Sequence, residues 1–142
     1  MLVRLSVLLL LFSVAGPLSG QSTAALERTT VEWEPDTLFF DDINEGHILL
    51  DSFRVTNTGD QPYVIKSVKA SCDCTVLRFP KEPIPPGKTA TLRVEFDSAG
   101  KAGPAQPGIV VYDNSRPNSR SILYLSGNIT PRKKPKNPLG GE

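Results

Sequence analysis

Two cysteines, Cys72 and Cys74, are the residues of this sequence whose type and spacing could do chemistry, and one residue separates them. In an oxidising compartment such a pair favours a disulfide. Residues i and i+2 of a regular strand lie roughly 6.5–7 Å apart, at the limit of what a disulfide tolerates. A bridge within the chain therefore requires a bend. The alternatives are two half-buried thiols, or a bridge to a second chain.

The same two side chains leave open a thiol-redox pair or a Cu(I) site. Soft thiolates suit Cu(I), and a bridge strained by this short spacing would be easily reduced. However, the only methionine of the chain is Met1, and its one imidazole, His47, lies 25 positions before Cys72. No further metal ligand and no resident cofactor are therefore predicted.

The remaining polar residues do not form a catalytic pattern. His47 follows a turn glycine without a Ser or Cys nucleophile at motif spacing, so we expect it to face solvent. The turn before it is rich in oxygen ligands but lacks the spacing of an EF-hand loop, which favours a solvated acidic turn over a calcium site. Its residues are Asp41, Asp42, Asn44 and Glu45. The sequence predicts no enzyme activity.

Residues 1–20 have the features of a secretory signal peptide. Arg4 supplies a positive charge, an apolar run follows, and small residues precede the expected cut after Gly20. A cut after Ala24 or Ala25 is the alternative. The apolar run is too short to span a membrane, and no later segment is apolar enough. We therefore expect an exported protein, periplasmic or extracellular, that is soluble after cleavage.

The net charge bears on the class of partner, and the proline and glycine content bears on the fold class. Removing residues 1–20 takes away one of 16 basic residues and none of the 15 acidic ones, which leaves a formal charge of zero. A neutral chain gives no electrostatic reason to expect nucleic acid as a partner. The 13 prolines and 11 glycines suit many short strands joined by turns.

Apolar alternation predicts strands along most of the chain. It is clearest from Ala90 to Phe96, where every second residue is apolar, as expected of a sheet with one buried face. Weaker runs occur at 48–57, 63–70, 109–112 and 122–129, and Pro35 splits an edge strand into two short pieces. About seven antiparallel strands without a helix indicate an immunoglobulin-like β-sandwich. Its expected core contains Phe53, Val55, Leu92, Val94, Phe96, Leu123 and Leu125.

The predicted organisation has four parts. After the signal peptide, residues 21–30 form a flexible lead-in, and the sandwich occupies residues 31–130. Residues 131–142 are rich in Pro, Gly and basic side chains, which is typical of a disordered tail.

Four motifs in order resemble one family. They are Leu38 to Gly46, Phe53 to Gly59, Ser71 to Thr75 and Ile84 to Lys88. The sequence from about residue 36 to 130 resembles an exported bacterial domain of unknown function, family 1573, which is related to Hydin-type immunoglobulin-like domains. The family pattern usually has Gly between the cysteines, where this chain has Asp73. The resemblance implies an immunoglobulin-like sandwich and export, and it implies no activity.

Two hypotheses of function follow. The first is a non-catalytic immunoglobulin-like module that binds another exported protein or a cell-envelope component through a sheet edge or loops. The alternative is a small thiol-redox or copper-handling protein that uses Cys72 and Cys74.

Overall fold

The structure, a computed structural model, describes residues 27–133 of the 142-residue chain. The predicted signal peptide at 1–20 and most of the predicted tail lie outside the described residues. Within them, ten strands form two packed sheets: β1 Val31–Glu34, β2 Thr37–Phe39, β3 Ile43–Asn44, β4 Ile48–Asn57, β5 Ile65–Ala70, β6 Thr75–Arg78, β7 Thr89–Asp97, β8 Gly103–Ala105, β9 Gly108–Asp113 and β10 Arg120–Thr130. None of the described residues belongs to a helix able to cross a membrane.

The smaller sheet has the order β1-β4-β7-β6, and all its pairings are antiparallel. The larger sheet has the order β2-β10-β9-β5, and both β3 and β8 also pair with β10. This confirms the predicted β-sandwich. It differs in detail from seven antiparallel strands, because β3, β6 and β8 are additional short strands and because β2 and β3 run parallel to β10. Pro35 breaks the first strand, and the chain continues into the second sheet instead of turning back in a hairpin.

The core lies between the two sheets and follows from side-chain alternation. Along β7, Leu92, Val94 and Phe96 are buried while Thr91 and Arg93 are exposed. Successive strand residues point to opposite faces, so one face of each strand enters the core. All seven predicted core residues are buried. The core also contains Leu38, Tyr63, Ile65, Ile84, Ile109, Val111 and Ile129.

The turn before β7 also matches its sequence signal. The amide of Lys88 donates to the carbonyl of Pro85 at 3.1 Å, and Gly87 has φ = +73° at the third position of the turn. This is the position at which a type II turn requires a positive φ, which glycine adopts without strain.

The described end of the predicted lead-in, residues 27–30, is joined to the domain by hydrogen bonds. Thr29 is buried; its amide donates to Asn114 O at 3.2 Å and its hydroxyl to Asn57 Oδ1 at 2.9 Å. The approach is so close that a Cβ at Gly59 would collide with the Thr29 side chain. The packed domain therefore begins near Thr29, because these groups satisfy buried polar partners that are distant in sequence.

Candidate functional site

The two cysteines lie in the turn that carries the chain from β5, in the larger sheet, to β6, in the smaller one. The structure records a disulfide between Cys72 and Cys74, with Cα atoms 5.2 Å apart. This is shorter than the spacing of i and i+2 in an extended strand, so the bend that a bridge requires is present. The hydroxyl of Thr75 lies 3.5 Å from Cys72 Sγ and 3.8 Å from Cys74 Sγ. Both cysteines are half-buried.

Backbone hydrogen bonds hold this turn against both sheets. On one side, the amide of Ser71 donates to Gly108 O at 2.9 Å, and the amide of Gly108 donates to Ser71 Oγ at 3.0 Å. On the other side, the amide of Asp97 donates to Cys74 O at 2.8 Å. The bridge is therefore fixed at the seam between the sheets.

His47 is exposed, as predicted, but the fold brings it to the same end of the smaller sheet as the cysteines. Its carbonyl accepts from the amide of Ser98, which follows the end of β7. Because β7 lies between β4 and β6, His47 is two strand spacings, about 10 Å, from the Cys74 backbone. Across residues 27–133, no three His, Cys, Asp or Glu side chains are grouped so as to hold a metal ion. A Cu(I) ion here would have the two thiolates as its protein ligands.

The residues of the predicted acidic turn make contacts with two places, the surface of β10 and the segment that follows it. The Asp42 carboxylate accepts a hydrogen bond from Asn128 Nδ2 at 2.8 Å, on the surface of β10. The Glu45 carboxylate accepts from the Arg132 amide at 3.0 Å. The carboxylates of Asp42 and Glu45 thus join the turn to the last strand and its continuation, and Asn44 belongs to β3.

Among the buried polar groups that the sequence did not predict, the first to consider is Asn57. Its side-chain oxygen accepts from the Thr29 hydroxyl at 2.9 Å and the Gly59 amide at 3.1 Å. Its nitrogen donates to Gln61 O at 2.7 Å and to Ile84 O at 2.8 Å. The sequence indicated a turn here, but not that the amide would be buried with all of its hydrogen bonds made.

The second is Asp113, which is buried at the end of β9. Its carboxylate accepts from the Tyr63 hydroxyl at 2.8 Å, the Ser121 hydroxyl at 3.3 Å and the Ser115 amide at 2.7 Å. Burial raises the pKa of Tyr63 well above its usual range, and the nearby Asp113 charge raises it further. Tyr63 therefore stays a neutral hydrogen-bond donor, and the arrangement stabilises the fold.

The other surface feature close to the cysteines is the outer edge of β6. This strand is last in the smaller sheet, and no described strand pairs with its outer side. The bond from the Asp97 amide to Cys74 O sets the register, so the backbone groups of Val76 and Arg78 point toward β7. Those of Leu77 point outward, where a further strand could bind.

Known structures share this fold at low sequence identity. A protein of unknown function from Porphyromonas gingivalis W83 matches with a TM-score of 0.63 and 16% identity over 78% of this chain and 51% of its own. The chain thus spans about half the length of that protein. The PapD-like domain 7 of human CEP192 matches with a TM-score of 0.58 and 12% identity, over 92% of this chain and 99% of its own. SSP-19, an MSP-domain protein of Caenorhabditis elegans, matches with a TM-score of 0.51 and 14% identity, over 68% and 97%.

These likenesses establish the fold as an immunoglobulin-like sandwich of the PapD and MSP type. Among curated proteins, none matches the sequence. A family model covers residues 31–129, which is almost the whole described domain. The chain therefore belongs to the family described as protein of unknown function (DUF1573).

Proposed function

We propose that this chain is an exported, non-catalytic immunoglobulin-like module that binds a partner protein by adding an extended segment of that partner to β6. The observation that carries the proposal is the outer edge of β6, which lies beside the Cys72–Cys74 turn and has no strand partner within residues 27–133. An exposed edge presents unpaired N–H and C=O groups that recognise an incoming strand.

The β1 and β5 edges carry more features that discourage pairing than the β6 edge does. The β5 edge has a register irregularity between Ile65 and Ser67 and exposes Lys66 and Lys69. The β1 edge is only four residues long and is followed at once by Pro35. Bulges, lysines, prolines and short length protect sheet edges from association. β6 is equally short, but it contains neither lysine nor proline, and its pairing with β7 is regular.

The surface beside the β6 edge could select the partner's side chains. Val76 is 49% exposed and pairs with Glu95, which pairs in turn with Leu50, itself 71% exposed. The next row places Arg78 directly opposite Arg93. Like charges in this position repel, so a carboxylate on the partner strand would relieve the repulsion. A partner segment that carries an apolar residue and an acidic residue two positions apart fits this surface.

Photo-cross-linking in the exporting cell tests this proposal. A benzophenone amino acid in place of Val76, beside the edge, should give one discrete protein adduct, whereas the same group at the exposed Thr91 on β7 should not. Leu77→Pro should abolish the adduct and leave the domain folded, because the Leu77 N–H points away from β7 and proline is tolerated on an edge strand. Equal adducts at both positions, or an adduct that survives Leu77→Pro in a folded domain, would refute binding at β6.

Export is tested separately. The mature protein from the extracytoplasmic fraction should begin at Gln21, or just after Ala24 or Ala25, when its N-terminus is sequenced. An intact Met1 in that fraction would contradict cleavage.

The disulfide favours one second candidate, a thiol-redox or copper-handling function. In the redox form, a dithiol of a partner reductase would donate two electrons and two protons, break the Cys72–Cys74 bond and leave two thiols. Equilibration with dithiothreitol measures the potential: a redox function requires a value above about −300 mV, whereas a purely structural bridge lies below it. Titration of the reduced protein with Cu(I) tests the copper form, and the variant with both cysteines changed to Ser is the control.

A further inference from the structure

The exposed surface of the larger sheet is apolar in its centre. This outer face consists of the solvent-facing side of β10 with the neighbouring side chains of β2 and β9. Phe39 is 79% exposed, Ile122 is 46% exposed, and Tyr112 and Tyr124 are also exposed. The register places Phe39 beside Ser126 and Val110 beside Ile122, so these groups form one continuous surface.

The two ends of the outer face carry opposite charges. Arg120 stands at the start of β10, opposite Tyr112, and Lys69 lies over the Tyr112 ring with its Nζ 5.8 Å from the ring centroid. At the other end, the Asp42 carboxylate is held by Asn128, which faces the same side of β10 as Arg120. Eight residues separate Arg120 from Asn128, which corresponds to about 27 Å along the strand.

We propose that the outer face binds a second copy of this chain, with the two β10 strands antiparallel. A two-fold axis across the middle of β10, at Tyr124, would place each Tyr124 against its counterpart. The same rotation brings Arg120 of each copy onto the Asp42–Asn128 end of the other. Ile122 then meets the region of Ser126 and Phe39. One surface thus matches itself in both shape and charge, as an isologous interface requires.

Two two-fold dimers can place these faces against each other, one with antiparallel and one with parallel β10 strands. The charges favour the antiparallel dimer. An axis along the strands would keep them parallel and set Arg120 against Arg120, which is repulsive. Charge placement of this kind fixes the register of an interface and disfavours the wrong orientation. The proposed interface leaves the β6 edge open, because β6 belongs to the other sheet.

The area of the outer face determines how strongly we expect the two copies to associate. The face comprises strands β10, β9 and β2, of 11, six and three residues, and at about 4.8 Å between strands they give a projected area of about 300 Å² per copy. This is less than half of what a standard interface buries on each partner, so the dimer should be weak and depend on concentration.

Sedimentation velocity of the mature chain, from about 10 µM to about 1 mM, tests the proposal. The wild type should shift from monomer toward dimer over this range. Arg120→Asp and Asp42→Arg should each raise the dissociation constant at least tenfold, because each makes both end contacts repulsive. An equimolar mixture of the two variants should recover dimers, because both contacts then join opposite charges. Arg93→Asp, on the exposed face of the smaller sheet, is the matched control and should leave the dissociation constant unchanged.

Three results would overturn the proposal: a wild type that stays monomeric at every concentration, single variants that dimerise like the wild type, or a mixture that does not recover. Circular dichroism of each variant establishes that it is folded. If either charge variant fails to fold, Ile122→Ser in the centre of the face replaces it. That variant must also weaken the dimer at least tenfold, and an unchanged dissociation constant would equally refute the proposal.

Discussion

Replacing Asn57 by Ala should be among the most destabilising polar substitutions in this domain. The side chain is 0% exposed and makes four hydrogen bonds. Two of them join the end of β4 to the segment before β1 and to the loop before β7, and the other two lie within the turn after β4. The substitution removes these links without introducing any group too large for the site. Its effect therefore reports on the polar network together with the small cavity that the missing amide leaves.

The expected loss of stability depends on which hydrogen bonds the former partners of Asn57 retain. Ile84 O retains the bond from the Tyr63 amide at 2.9 Å, and the Gly59 amide retains its bond to Thr30 O at 3.0 Å. The Thr29 hydroxyl and Gln61 O lose the partners described above. A buried polar group left without a partner costs about 1–3 kcal/mol. Since Gln61 is half-buried and can recover water, we expect a total loss of about 3 kcal/mol.

Equilibrium unfolding in urea measures this loss. The midpoint should fall markedly while the slope of the free energy against urea concentration stays constant, because the same surface is exposed on unfolding. Asn118→Ala, at an exposed asparagine, is the matched control and should change stability by less than about 0.5 kcal/mol.

A loss below about 1 kcal/mol for Asn57→Ala, or a loss no larger than that of the control, would contradict this prediction. Either result would mean that water replaces the amide, and that the network does not contribute to stability as its burial implies. A loss accompanied by a changed slope would instead point to an altered unfolded or native state.

Three further changes test other parts of the fold by the same unfolding measurement. Tyr63→Phe should cost about 2 kcal/mol, because it removes a buried hydrogen bond to a carboxylate. The pKa of Tyr63 is raised in the folded state, so the wild type should keep its stability below about pH 10 and lose stability as pH rises further. Tyr63→Phe should show a smaller loss at high pH. Equal pH profiles for the two proteins would contradict this. Phe96→Ala should cost about 3–5 kcal/mol and Thr91→Ala less than about 0.5 kcal/mol, so equal losses would mean a wrong face assignment. Changing Cys72 and Cys74 to Ser should cost on the order of 1 kcal/mol, because their bridge closes a very small loop, and failure to fold would show a structural staple.

The sequence predicted those strands whose pattern is local. The run from Ile48 to Asn57 matches β4 at both ends, and the alternation from Ala90 to Phe96 lies within β7, because apolar periodicity directly reflects one buried face. β3, β6 and β8 were missed for the opposite reason. They are two, four and three residues long, and they are strands because β10 or, for β6, β7 lies beside them.

In the candidate site, too, local features were predicted from the sequence and features that depend on distant segments were not. The cysteine spacing indicated that a bridge needs a bend, and the bend is there. The proximity of His47 to the cysteine end of the sheet depends on the order β4-β7-β6, which no local pattern contains. The burial of Asn57 and Asp113 likewise depends on chain segments that are distant in sequence. Sequence reasoning therefore located the chemistry but not the buried polar groups around it.

The pairing of β10 has a consequence for how the chain is made. β10 joins four strands of the larger sheet, and two of them, β2 and β3, come from the start of the domain. Synthesis proceeds from the N-terminus, so β2 has to wait for about 80 further residues before its partner exists. Contacts this distant in sequence make folding slow. The larger sheet cannot be completed until β10 has been made, and a polypeptide that stops before Arg120 is left with unpaired strand edges that invite aggregation.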